Sequence, residues 1–202
     1  MTIGLGLLEG TARTTDAART RDFDAFVAAH RDRAVGLAFR LIGGDAAAAE
    51  DIAQEAFLRA HRGLDGFREE AKMSTWFYRI LVNEAQRHLR WRWVRQRFAG
   101  AMPDEPRDPQ PAAAGDPALR DRVARAVARL PRGQREAFAL VHLEGFTVRE
   151  AADITGRAIG TIKSHLHRAL THLREALADL DPSSGVASPS RAARVEPEET
   201  RS

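Results

Sequence analysis

Apolar residues recur along most of this chain at steps of three and four, the spacing that gathers them on one side of an α-helix. Phe23, Phe26, Val27, Ala34, Leu37, Ala38 and Leu41 share one such register. Asp22 is placed to cap that helix and Gly43-Gly44 to stop it. Asp45 can cap a second helix bearing Ala49, Ile52, Ala53, Ala56, Ala60 and Leu64, with Gly63 and Gly66 loosening the loop that follows. Ser74 opens a long third helix through Trp76, Phe77, Ile80, Leu81, Ala85 and Leu89, reaching about Phe98. Asp116-Pro117 is a cap followed by proline at the first helical position. Leu119, Val123, Val127 and Leu130 then make a stripe that Pro131 ends, and a helix over about 132–144 leads to Gly145. No segment alternates as a strand does, so the pattern predicts an all-α protein.

Residues 147–168 read as a helix-turn-helix. Thr147 and Glu150 have the spacing of a capping box, hydroxyl to the N3 amide and carboxylate back to the cap amide. Val148, Ala151, Ala152 and Ile154 follow, and small Ala152 lets a second helix approach closely. Gly156 suits a helix end at which the chain must turn with positive φ. The second helix sets Ile162, Leu166, Ala169 and Leu173 on one face, leaving Arg157, Thr161, Ser164, Arg168 and Thr171 away from it. Such a helix, basic on its outer side, fits the major groove of DNA.

Composition divides the chain. Residues 99–117 contain five prolines and no apolar periodicity, the character of a semi-extended linker. Residues 181–202 and the first 21 are polar or irregular enough to be expected disordered. The expected organisation is therefore an N-terminal extension over 1–21, a helical domain over 22–98, a flexible Pro-rich linker over 99–116, a helix-turn-helix domain over 117–180, and a tail over 181–202. At 44% hydrophobic and 29% charged residues, 202 residues can bury two small cores.

Charge adds a second candidate surface. The net charge is only +3, and lysine occurs only at Lys72 and Lys163, so positive charge is almost wholly guanidinium. Arginine placement says more than its abundance. Arg79, Arg87, Arg90, Arg92, Arg95 and Arg97 line the third helix with Glu84 as the one acid between them, and Trp76, Tyr78, Trp91 and Trp93 are interleaved. Arginines track phosphates and aromatic faces stack on unpaired bases. On the preceding helix Glu50, Asp51, Gln54 and Glu55 cluster near the N-terminus, where the helix dipole alone accounts for carboxylates.

Other classes fit poorly. With no cysteine there is no disulfide, thiolate catalysis or cysteine-ligated zinc. His165, His167 and His172 lack the i, i+3 or i+4 pairing that ligating side chains on a helix need, so no metal is expected. Neither a nucleophile–base pair nor a glycine-rich phosphate loop is evident, so no catalytic residue and no cofactor is expected. Nothing approaches 18 consecutive apolar residues, and the first residues lack a secretory signal's basic region. The chain is expected in the cytoplasm.

Three separated stretches, in order, carry a family resemblance. Ala49-Glu50-Asp51-Ile52-Ala53-Gln54-Glu55-Ala56-Phe57-Leu58-Arg59 resembles an A-E-D-hydrophobic-x-Q-E-x-F-hydrophobic-R signature. Ser74-Thr75-Trp76-Phe77-Tyr78-Arg79-Ile80-Leu81-Val82-Asn83 resembles a T-W-L-Y-R-I-A-x-N segment, and Leu130-Pro131, Gly145-Phe146-Thr147 and Gly160-Thr161-Ile162-Lys163-Ser164 resemble the elements around a helix-turn-helix. Together they are similar to the extracytoplasmic-function sigma factors, promoter-recognition subunits of bacterial RNA polymerase.

That resemblance implies roles the residues alone do not. Asp51, Gln54, Glu55 and Arg59 would dock on the clamp helices of the polymerase β′ subunit. Trp76, Arg79, Asn83, Arg87 and Arg90 would face the −10 element, and the loop over about 63–73 would capture a flipped base, offsetting its unstacking cost. Arg157, Thr161, Lys163, Ser164, His165 and Arg168 would read the −35 element, with this block also touching the β flap and the linker threading towards the RNA exit channel. An anti-sigma factor is implied as a further partner. Arg87, His165 and Arg157 depart from the family pattern at DNA-facing positions, so the promoter sequence is not inherited from any relative, and His165 stands out as a source of distinct specificity. The competing reading is a stand-alone helix-turn-helix transcriptional regulator, which would bind DNA without polymerase.

Overall fold

The computed structural model describes residues 5–67, 72–99 and 117–178, and among them every regular element is helical. The expected linker and C-terminal tail lie outside the described residues. The first block is α1 (Leu5–Ile42), α2 (Ala46–Arg62) and α3 (Met73–Ala99), with a single 3₁₀ turn at Leu64–Gly66. The second is α4 (Pro117–Arg129), α5 (Arg132–Phe138), a π turn at Ala139–Leu143, α6 (Val148–Thr155) and α7 (Ile159–Ala176).

Most boundaries follow the local chemistry. The Asp45 carboxylate accepts from the Ala48 amide at 3.1 Å and starts α2. Pro131 separates α4 from α5. The start of α1 differs: it lies at Leu5, so Asp22 is inside the helix rather than at its cap and residues 5–21 are helical. No proline interrupts 5–21, and extending a formed helix adds a hydrogen bond for each residue ordered, unlike starting one.

Helices α1, α2 and α3 pack against one another around Phe23, Leu37, Leu41, Ile52, Phe77, Tyr78, Leu81 and Val82. A smaller cluster of Ala126, Val127, Leu130, Ala169 and Leu173 ties α4 to α7. In α4 only Val127 and Leu130 of the expected stripe are buried; Leu119 and Val123 face solvent, because α4 is covered along its C-terminal half alone.

The blocks also share a core. Leu140, Ala151, Ala152, Ile154, Ile162 and Leu166 of the second block belong to the same buried cluster as the first block's helices. Phe146 meets the Tyr78 ring edge-on at 5.0 Å between centroids, and α6 lies against α3. The Arg135 guanidinium donates to the carbonyl of Leu41 at the end of α1 (2.9 Å) and to that of Ala128 (2.6 Å). Glu144 makes a deeply buried polar link. The π turn closes with its amide on the Ala139 carbonyl at 2.9 Å, and its carboxylate, 3% exposed, lies between Arg33 (3.2 Å) and Arg40 of α1.

Removing the arginines strands a buried charge, whereas removing the acid returns two arginines to water. Arg33→Ala/Arg40→Ala is therefore expected to lower unfolding free energy by about 3 kcal/mol, and Glu144→Gln by clearly less. Urea denaturation of the two variants checks the order.

Candidate nucleic-acid interface

The helix-turn-helix is built by its caps. The Thr147 hydroxyl accepts from the Glu150 amide at 3.1 Å, and the Glu150 carboxylate accepts from the Thr147 amide at 2.9 Å. Gly156 ends α6 in the left-handed conformation at φ 67°, which turns the chain into α7. Ile162, Leu166, Ala169 and Leu173 are buried, as their spacing predicts.

What remains outward on α7 is a compact polar face. Thr161, Lys163, Ser164 and Arg168 are exposed, together with His167, whose place one step from Arg168 was readable from helical period but went unassigned. Ile159 is exposed at the N-terminal end of the same helix. Polar donors together with Lys163 and Arg168, on a helix that follows a tight turn, are the chemistry of base-edge and phosphate contact.

Two expected members sit differently. Arg157 pairs with Glu136 of α5 at 2.9 Å, and its other nitrogen lies 3.4 Å from Nδ1 of His165. The His165 ring is half-buried over Gly133, where an added Cβ would come within 2.5 Å of its Cε1. Both side chains turn towards α5 and brace α7 against it. Helical period puts His165 on the flank; only the packing of α5 decides which way it faces.

Helix α3 separates its aromatics. Tyr78 is fully buried, its hydroxyl without a hydrogen-bond partner, and burial pushes its pKa up to about 12. Trp76 is half-buried, tilted against Phe67 at 5.0 Å and seated over Gly63. Arg79, Asn83 and Arg90 are exposed. Arg87 is half-buried and donates to the buried Glu84 carboxylate at 2.6 Å, which also takes Arg59 at 2.7 Å. The loop expected to take a flipped base is described only at its two ends.

On α2, Asp51 and Gln54 are exposed and Glu55 is half-buried. Leu58, 44% exposed and four residues beyond Gln54, adds to that face an apolar side chain that the charge pattern did not single out. Arg59 is drawn inward, pairing with Glu55 at 2.8 Å as well as with Glu84. Among the described residues no cluster of His, Asp and Glu could hold a metal, and no helix is long and apolar enough to cross a membrane.

Lys72, immediately before α3, reaches Glu150 of α6 at 2.9 Å. The Thr147 amide, then Lys72 and the Thr147 hydroxyl, draw the Glu150 pKa from its ordinary 4.5 down to about 2. A depressed carboxyl contributes stability above its unfolded pKa and loses it as pH falls. The capping contribution is thus expected whole above pH about 4.5 and gone near pH about 2. Glu150→Gln should flatten that part of the acid-unfolding curve, read by circular dichroism.

Gly133→Ala is expected to weaken both stability, by about 1–3 kcal/mol as overpacking does, and −35 fragment binding. Gly133→Ala/His165→Ala should restore both in thermal melts and DNA titrations. A base-reading His165 would instead leave the double variant deficient in DNA binding.

Comparison with known proteins matches the chain in both blocks. Residues 26–95 match the family Sigma-70 region 2, and residues 120–173 match Sigma-70, region 4. The chain is 32% identical over 177 residues to the RNA polymerase sigma-H factor of Pseudomonas aeruginosa, covering 79% of this chain and 88% of that protein. It is 35% identical over 162 residues to the ECF RNA polymerase sigma factor SigM of Mycobacterium tuberculosis, covering 79% of each. The fold is similar, at a TM-score of 0.72 and 30% identity, to the sigma factor RpoE of Bartonella quintana, solved in complex with the anti-sigma factor NepR, over 78% of this chain and 98% of that one. It is also similar to CnrH in complex with the cytosolic domain of CnrY, at a TM-score of 0.57 and 27% identity, over 80% of this chain and 90% of that one.

Proposed function

The chain belongs to the extracytoplasmic-function group of the sigma-70 family, and on that premise we propose how its surfaces divide the work of directing RNA polymerase to promoters. Two units are proposed, a region 2 domain over 22–98 and a region 4 domain over 117–180. The single observation that carries the reading is the coexistence of two outward basic helices, α3 and α7, with a separate acidic face on α2. A lone DNA-binding regulator has no use for the third surface.

In the region 4 unit, Thr161, Lys163, Ser164, His167 and Arg168 contact the −35 element. Lys163 and Arg168 supply charge to phosphates or guanine edges, and Ser164 and His167 supply short-range donors. Arg157 and His165 act mainly by holding α7 on α5. In the region 2 unit, Arg79, Asn83 and Arg90 face the −10 element, with Trp76 and Arg87 supporting them. Asp51, Gln54, Glu55 and Leu58 form the face offered to the β′ clamp helices, and Arg59 orders it by fixing Glu55. The β flap is the proposed contact of the second block. Action on polymerase and genome places the chain in the cytoplasm. An anti-sigma factor is the proposed regulator, supported by the partners named in the solved relatives.

Run-off transcription with core polymerase on genomic fragments tests the reading and identifies the promoter. Arg168→Ala should weaken promoter binding roughly tenfold, the scale of one good base or phosphate contact, with core binding unchanged. Asp51→Asn/Glu55→Gln should do the reverse in a titration against core polymerase. Promoter binding by the chain alone, undiminished without core, would favour the stand-alone regulator.

A further inference from the structure

Charge meets opposite charge at two points of the seam between the blocks. Arg33 and Arg40 of α1 close on Glu144, and Lys72 reaches Glu150. A third point breaks that pattern. Where the end of α1, the C-terminal half of α3, α4 and α5 come together, the surface sinks into a crevice of about 260 Å³. Arg92 of the first block and Arg135 of the second both line it, and among the described residues no acid does. Packing thus brings two guanidinium groups to one recess. Like-charge repulsion opposes that unless an anion lies between them.

Arg135 sharpens the imbalance. Its Nη1 donates to the Ala128 carbonyl at 2.6 Å and its Nη2 to that of Leu41 at 2.9 Å, while its Nε is buried without a partner. Both carbonyls lie at helix C-terminal ends, whose partial negative charge offsets some of the cation. No carboxylate completes the task, because neighbouring Glu136 is engaged by Arg132 and Arg157. Burial lowers the Arg135 pKa by more than Glu136 raises it, the direction expected of a cation withdrawn from water. Buried charges are ordinarily paired. Arg33, Arg40, Arg59, Arg87, Arg132 and Arg157 each meet a buried acid, and Arg135 does not.

The remaining walls select the anion. Buried Ile42 and half-buried Leu89 and Ala128 make part of the lining apolar. Trp93 stands at the edge with the Arg97 guanidinium over its ring, 5.1 Å from the centroid, which restrains the indole. A guanidinium fork takes a carboxylate bidentately, and an indole packs against an aromatic ring. Sites for drug-sized ligands measure roughly 300–1,000 Å³, so this smaller one suits a single ring. A bare inorganic ion would leave the apolar wall facing water, and a duplex does not enter a recess of this size.

We propose that this crevice binds a small aromatic carboxylate, one ring with one acid group, its carboxylate bridging Arg92 and Arg135 and its ring against Trp93. The two arginines belong to different blocks, so the ligand binds the packed arrangement and not a parted one. A ligand that prefers one of two arrangements shifts the population towards it. It therefore inhibits promoter binding. That consequence rests on the assignment of α3 and α7 to the two promoter elements, which lie further apart on B-DNA than α3 is long.

The test uses the full chain with benzoate as the probe. Saturation-transfer NMR is expected to show saturable binding with a Kd on the order of 1 mM, about tenfold tighter than acetate or inorganic phosphate, which lack the ring. Trp93→Ala and Arg92→Gln, with helicity and melting unchanged, should each weaken it about tenfold. Arg33→Ala/Arg40→Ala loosens the seam without touching the crevice and should weaken it too; Glu144→Gln gives the same direction if the double variant fails to fold. No saturable binding below about 20 mM, equal binding of acetate or phosphate, or indifference to Trp93→Ala and Arg92→Gln would overturn the site. Benzoate affinity unchanged by both seam variants would overturn its dependence on packing. On a promoter recovered by run-off transcription, about 10 mM benzoate should weaken binding by the polymerase holoenzyme about tenfold, the factor 1 + [ligand]/Kd, and about twofold with Arg92→Gln. Promoter binding weakened by Arg79→Ala/Asn83→Ala and Arg168→Ala but not by benzoate refutes the inhibition. If those variants are silent as well, the assignment of α3 and α7 fails, and the NMR titrations judge the site by themselves.

Discussion

The arrangement of the two blocks depends on the burial of Glu144 between Arg33 and Arg40. A carboxylate removed from water is tolerated only when opposite charge and hydrogen bonds surround it. Arg33 supplies both, since it also donates to the Glu144 carbonyl at 2.8 Å. With that charge satisfied, Phe146 can lie on Tyr78, and Leu140 and Ile154 can join the core of the first block. Gln86 of α3 approaches Glu136 of α5 at 3.3 Å, and Arg135 meets the end of α1 on the other side. Packing around Glu144 therefore sets where α7 stands relative to α3.

The packed arrangement does not hide the surfaces proposed to meet nucleic acid. Arg79, Asn83 and Arg90 on α3 stay exposed, as do Lys163, Ser164 and Arg168 on α7. Yet elements named for positions 10 and 35 base pairs from a start site lie about 80 Å apart on B-DNA, given about 34–36 Å per turn. The whole of α3 spans about 40 Å, and its first turn is tied to α6 through Lys72 and Glu150. If α3 and α7 read the two elements at once, as proposed, the blocks would have to stand further apart than in this packing. The contacts that a separation would break include the buried pairing of Glu144 with Arg33 and Arg40 and the apolar packing of Tyr78, Leu140 and Ile154.

Acidic partners sort the arginines. Arg59 and Arg87 converge on Glu84, Arg132 and Arg157 on Glu136, Arg33 and Arg40 on Glu144. Each of these acids is nearly inaccessible, so it holds its arginines far more firmly than a surface pair would. Arg79, Arg90 and Arg168 project outward. The departure from the family pattern at Arg87 and Arg157 thus falls on side chains already engaged by a buried acid. His165 is turned inward too, but by packing over Gly133 and beside Arg157.

The helices, their order and most caps were legible in the residues, because periodicity, capping boxes and glycine turns act within a few positions of the chain. Asp45, Thr147 with Glu150, Gly156 and the buried row from Ile162 to Leu173 needed nothing beyond their neighbours. The outward placement of Asp51, Gln54, Lys163, Ser164 and Arg168 was legible for the same reason, with Leu58 and His167 recoverable from helical period, whereas docking and groove-facing roles for them rest on the family resemblance. What tertiary structure alone decided is which of several equivalent charges stays outward. That Arg157 meets Glu136, that Glu144 is buried and that Tyr78 belongs to the core while Trp91 and Trp93 do not are set by contacts between residues from 21 (Arg157 and Glu136) to 111 (Arg33 and Glu144) positions apart, for which local pattern carries no signal.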